Sequence, residues 1–122
     1  MQKKIKKVLC FDIDGVICKT KKNDYKNAIP IKKNIKLINK LYYDGYVIKV
    51  FTARFMGRNN DNKAKAKKAG YLFTKKSLKN WGLKYNKLIF SKPSYDLIVD
   101  DKAIFFQQNW ADKIYKELKG LR

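Results

Sequence analysis

Two aspartates stand one residue apart in this chain, Asp12 and Asp14, with Gly15 directly after them and the apolar run Val8-Leu9-Cys10-Phe11 directly before. An apolar run of this kind reads as a buried strand, and a strand ending in Asp-x-Asp-Gly delivers two carboxylates to the carboxyl edge of a sheet, where open α/β folds bind ligands. Side chains alternate along a strand, so Asp12 and Asp14 share a side if the extended form persists that far. Gly15 then lets the chain turn away. Like charges so close call for a cation, for a raised pKa on one aspartate, or for both. A calcium loop of the EF-hand kind would require a glutamate at its twelfth position. Counted from Asp12, that place is taken by Asn23.

Further candidate strands end in residues suited to phosphate chemistry. Tyr46 to Phe51 is followed by Thr52-Ala53-Arg54; Leu88-Ile89-Phe90 is followed by Lys92-Pro93; Leu97-Ile98-Val99 runs into Asp100-Asp101. A threonine can donate to a phosphoryl oxygen or cap a helix, and a lysine can pair with phosphate as a point charge. Arg54, one of three arginines with Arg58 and Arg122, could fork onto a substrate anion or lie solvated at the surface.

Taken in order, these residues resemble the four motifs of the haloacid dehalogenase superfamily of phosphohydrolases: Asp12-Ile13-Asp14-Gly15, then Thr52, then Lys92, then Asp100-Asp101, over Leu9 to Phe105. Thr52-Ala53-Arg54, Trp81-Gly82, Tyr85, Lys92-Pro93 and Asp100-Asp101-Lys102-Ala103 are similar to small capless members found among bacterial capsule and surface-polysaccharide biosynthesis proteins. The resemblance implies a three-layer α/β/α Rossmann-like parallel sheet, with Cys18 to Ile29 forming only a flap and Phe55 to Trp81 forming helices of the core. It implies a phosphatase in which Asp12 is the nucleophile and Asp14 the general acid and base. Thr52 and Lys92 would hold the phosphoryl group. Mg²⁺ would lie between Asp12, the main-chain carbonyl of Asp14 and Asp100, with Asp101 orienting a bound water. Tyr25, Arg54 and Arg58 are the substrate-binding candidates. The implied substrate is a small phosphate monoester, a sugar phosphate or a phosphorylated alcohol or amino alcohol. Without a lid the site would be open, so a second copy of the chain could complete it.

The surrounding elements fit an alternating strand and helix pattern. Ile35, Ile38, Leu41 and Tyr42 recur at helical spacing and Gly45 stops them; Asn62 to Ala69 reads as a second helix ending near Gly70; Thr74 or Ser77 opens a short third; Trp110, Ile114 and Leu118 line a last one. Cys10 reads as a buried strand residue and Cys18 as a spare thiol. With 122 residues the chain reads as a single domain, 1–122. No segment is long and apolar enough to span a bilayer, and the lysine-rich start lacks the apolar segment of a secretory signal, so a cytoplasmic protein is expected.

The net charge of +20, from 30 basic and 10 acidic residues, raises nucleic acid as another partner, through binding or end processing. The basic residues are mostly lysines spread along the chain, with no arginine cluster of the kind base recognition favours. That distribution favours a small phosphorylated substrate over nucleic acid. A non-hydrolytic phosphotransferase would call for a lid against water.

Overall fold

The computed structural model describes residues 7–93, 95–97, 100, 102–104, 106, 107 and 109–120. The apolar run before the paired aspartates is strand β1 (Val8–Asp12). A turn at Gly15, whose φ of +90° suits glycine, leads into the short strand β2 (Cys18–Lys19). That strand pairs antiparallel with β3 (Ile29–Pro30), Cys18 opposite Pro30 and Lys19 opposite Ile29. The segment expected as a flap is this small ladder with a 3₁₀ turn over Tyr25–Asn27.

Helix α1 (Lys32–Tyr43) buries Ile35, Ile38 and Leu41 on one stripe. Its first turn also braces the aspartate loop, because Asn34 Nδ2 donates to the Val16 carbonyl at 2.8 Å and the Ile31 amide donates to the Ile17 carbonyl at 2.8 Å. Gly45 ends the helix at φ +98°, and β4 (Val47–Phe51) follows with Ile48 and Val50 fully buried.

The region after β4 differs from the pattern read in the sequence. Instead of two helices broken at Gly70, one helix, α2 (Lys63–Asn80), runs through it. Its start is capped by Asn62, whose side chain accepts from the Lys65 amide at 3.0 Å. Glycine is tolerated in the middle because the Phe55 ring occupies the place a side chain would take: a Cβ at Gly70 would lie 2.0 Å from the ring. A packing demand, not a helix stop, explains this glycine.

Among the described residues, strand β5 (Lys87–Ile89) joins β1 and β4 in a three-stranded parallel sheet of order β1-β4-β5, and α3 (Trp110–Gly120) is the last helix. Helix α3 sets Trp110 against Phe11, ring centres 5.8 Å apart, and meets α1 through a Lys33–Asp112 ion pair at 3.1 Å. The fourth expected strand, Leu97-Ile98-Val99, lies partly outside the described residues; Leu97 itself is in no strand and is 83% exposed. The cysteines are reversed from expectation. Cys10 is exposed on β1, and Cys18 is fully buried under the aspartate loop.

Register brings the strand ends to one edge. Asp12 pairs with Phe51 and Phe51 with Ile89, so all three strands end level. The residues that follow them, from Ile13, Thr52 and Phe90, leave the sheet along one edge. Among the described residues no helix is long and apolar enough to cross a membrane.

Candidate active site

At this edge lies a cavity of about 460 Å³, lined by Asp12 and Asp14 from the first strand, Ala53 and Arg54 from the second, Lys92 and Pro93 from the third, and Lys22, Asn23 and Tyr25 from the flap. A second cavity, about 400 Å³ between Ile35 and Trp81, has no acidic residue in its lining.

Asp12 is fixed from two sides. Its Oδ1 accepts from the Ile13 amide at 2.8 Å, and its Oδ2 accepts from Lys92 Nζ at 2.9 Å. Lys92 arrives there because its own amide donates to the Thr52 carbonyl at 3.3 Å, tying the end of β5 to the end of β4. Burial opposes the Lys92 ammonium, but the Tyr95 hydroxyl and the Asp12 carboxylate outweigh it and raise its pKa. Its ammonium also lies 5.2 Å from the centre of the Tyr95 ring.

Asp14 is held more tightly still. Arg54 forks onto it, Nε to Oδ2 at 2.9 Å and a terminal nitrogen to Oδ1 at 2.8 Å. The Thr20 hydroxyl donates to Oδ1 as well, and the Cys18 thiol reaches it at 3.6 Å. Burial alone would raise the Asp14 pKa, yet the bonds from Arg54 and Thr20 and the Arg54 charge hold it below the ordinary carboxylate value. Burial pushes the Cys18 thiol up to about 11, so it stays protonated as a weak donor.

Arg54 is the largest departure from the sequence reading. Expected at the substrate, it is instead fully buried, stacked 4.5 Å from the centre of the Tyr25 ring and bonded also toward Thr74 at 3.4 Å. Its guanidinium is committed to Asp14, because a buried cation is stable only when paired. Tyr25 does line the cavity, between Arg54 and Phe55, whose ring centre is 5.0 Å away.

Thr52 departs in a similar way. It is 1% exposed and absent from the cavity lining, and its Oγ1 accepts from the Arg54 amide at 3.0 Å. In this arrangement it shapes the β4 exit and does not touch the cavity. Asp100 is exposed, accepts from the Lys102 amide at 2.8 Å and is not among the lining residues. Asp101 lies outside the described residues, as does the Arg58 side chain; the Arg58 backbone belongs to the 3₁₀ turn Gly57–Asn59.

The carboxylates of Asp12 and Asp14 suit a hard divalent cation in kind. Among the described residues, however, no group of three or more His, Cys, Asp or Glu side chains gathers as a metal site. Nothing in the sequence singles out Lys22 or Thr20 within the stretch Lys19 to Pro30, or Phe55 within Arg54 to Asn60, although substrate contacts are expected from both stretches; Tyr95 lies outside them and was missed. Phe55 adopts φ +65° beside Arg54, a conformation that bulky residues rarely take and that clusters at functional sites.

No protein-family model matches the chain, and no curated protein matches it. Its fold is similar to that of a solved structure, a structural-genomics target from Vibrio cholerae, at TM-score 0.75 and 21% identity over 93% of this chain and 98% of that one. At that identity the likeness concerns the fold alone.

Proposed function

We propose that the chain is a Mg²⁺-dependent phosphatase of the haloacid dehalogenase type, hydrolysing a small phosphate monoester through an aspartyl-phosphate on Asp12. The observation that carries this reading is the Asp12–Lys92 pair, 2.9 Å apart at the level ends of two parallel strands, with Asp14 in the same cavity. A carboxylate fixed beside a lysine, with open space in front, suits nucleophilic attack on a phosphoryl group whose charge the lysine offsets. The full three-layer Rossmann-like sheet, with a further strand at Leu97-Ile98-Val99, is part of the same proposal.

In the first step an Asp12 oxygen forms a bond to phosphorus while the bond from phosphorus to the alcohol oxygen breaks. The alcohol oxygen needs a proton. Asp14 supplies it after taking one from solvent as substrate binds, when the phosphate charge opposes the pull of Arg54. In the second step water attacks phosphorus, its proton passes to Asp14, and the bond to Asp12 breaks to release phosphate. The resting state of Asp14, an ionised carboxylate held by Arg54, is the form this second step requires. Asp12 and the Asp14 main-chain carbonyl would hold Mg²⁺, and Asp100, which lies off the cavity, would have to reach it to complete the set; the ion would offset negative charge at the phosphoryl group.

A role in surface-polysaccharide synthesis follows from the resemblance of Thr52-Ala53-Arg54 and Lys92-Pro93 to capless members of that group. The charge of +20 favours one other reading, a phosphatase acting on polynucleotide ends. Phosphate release from a panel of sugar phosphates, amino-alcohol phosphates and oligonucleotide ends, with Mg²⁺ and with chelator, separates the two. Release on small monoesters that requires Mg²⁺ supports the proposal. Release on oligonucleotide ends alone favours the other reading, and no release on any member refutes both.

A further inference from the structure

The cavity is larger than a phosphoryl group, so the rest of its wall faces the alcohol part of the substrate. That wall is asymmetric in charge. Of the cations lining it, Lys92 is paired with Asp12 and Arg54 with Asp14. The third, Lys22, makes no ion pair among the described residues. Its backbone is held at φ +54°, a left-handed conformation that costs a residue with a side chain and is found disproportionately at functional sites. Next to it, Asn23 uses its Oδ1 to accept from the Tyr25 hydroxyl at 3.3 Å. Its Nδ2 donors have no protein partner among the described residues. The flap therefore presents a cation and an amide donor to the same cavity, from a different element than Lys92.

We propose that the substrate is a phosphorylated acid, whose carboxylate binds Lys22 and the Asn23 amide while its phosphate lies against Asp12 and Lys92. A carboxylate matches the single charge of Lys22, whereas a second phosphate would bring two. Tyr25 and Phe55, ring centres 5.0 Å apart, also line the cavity, an apolar part of its wall that suits a short carbon chain or ring. The inference rests on the phosphatase reading and narrows its substrate class.

The test compares matched pairs: phosphogluconate with glucose phosphate, phosphoglycolate with ethyl phosphate, and phosphoserine with phosphoethanolamine. In each pair the acid is expected to have the higher kcat/KM by roughly tenfold or more, the scale of one charge-assisted hydrogen bond. In Lys22→Ala that ratio falls to near one. It persists in Lys22→Arg and in Lys68→Ala, which removes an equal charge from the exposed face of α2. No preference for the acids, or a preference that survives Lys22→Ala, overturns the inference. Should none of the six compounds release phosphate, the phosphatase reading fails separately. Direct binding of phosphogluconate and glucose phosphate to the full chain then decides: tighter binding of the acid that Lys22→Ala abolishes sustains the inference, and equal or absent binding overturns it.

Discussion

Replacing Arg54 by methionine keeps most of its volume and deletes its charge. The Arg54 side chain is fully buried, and that of Asp14 is 29% exposed. Breaking a fully buried pair costs about 3–5 kcal/mol, mainly from the charge left behind. Partial exposure of Asp14, and the Thr20 hydroxyl that still donates to it, bring the expected loss down to about 2–3 kcal/mol. For a chain of this length, about 4 °C of melting temperature corresponds to each kcal/mol, so Arg54→Met should melt roughly 8–12 °C lower at neutral pH. Asp14→Asn in the same background removes the orphaned charge, and the double variant should fall short of the summed single losses by about 2 kcal/mol in a denaturant-unfolding cycle. The pH dependence has a definite sign. The Asp14 pKa is lowered in the fold, so its stabilising contribution is complete above the unfolded value near 4 and disappears as pH falls through the lower folded value. In Arg54→Met the guanidinium no longer offsets burial, so Asp14 takes up its proton at higher pH than in wild type. The gap between the two should begin to narrow as pH falls through that higher value and go on narrowing until pH passes the lowered wild-type value. A single-variant loss under about 1 kcal/mol, or strictly additive losses in the cycle, would refute the assignment of Arg54 as the buried partner of Asp14.

Lys92→Met should lower kcat by at least roughly a hundredfold with the fold retained, since it removes the charge beside Asp12; steady-state kinetics and circular dichroism together check this. Gly70→Ala places a Cβ within 2.0 Å of the Phe55 ring, and overpacking of about 1–3 kcal/mol should outweigh the helix-propensity gain of about 1 kcal/mol. Thermal unfolding reads that balance, and Phe55→Leu in the same chain should recover part of the loss. At Gly15 nothing lies within 4 Å of an added Cβ, so Gly15→Ala isolates the backbone cost at φ +90°. A loss of about 1 kcal/mol in chemical unfolding is expected there.

Periodicity was a dependable guide wherever one face is buried. Ile35, Ile38 and Leu41 marked α1, and the apolar runs ending at Asp12 and Phe51 marked β1 and β4. It misled at Gly70, because a glycine required by a tertiary contact with Phe55 looks the same in sequence as one that ends a helix. The site divides along similar lines. Asp12, Asp14 and Lys92 were legible because strand ends in register converge on one edge. The role of Arg54 was not, since two residues past a strand a guanidinium can point outward or inward. Only the position of Asp14, Thr74 and the Tyr25 ring decides the matter. Lys22 and Thr20 come from the flap, whose path depends on the Asn34 bond to the Val16 carbonyl, a contact that no local pattern announces.

The covalent step on Asp12 is the centre of this account, and trapping it is the most direct test. Wild type and Asp12→Asn would be mixed with p-nitrophenyl phosphate and Mg²⁺, quenched in acid within one turnover, and digested for mass spectrometry. The account predicts a hydroxylamine-labile phosphoryl adduct on the peptide containing Asp12, absent from the variant and from samples treated with chelator. Turnover without any such adduct, or an adduct that persists in Asp12→Asn, would contradict it.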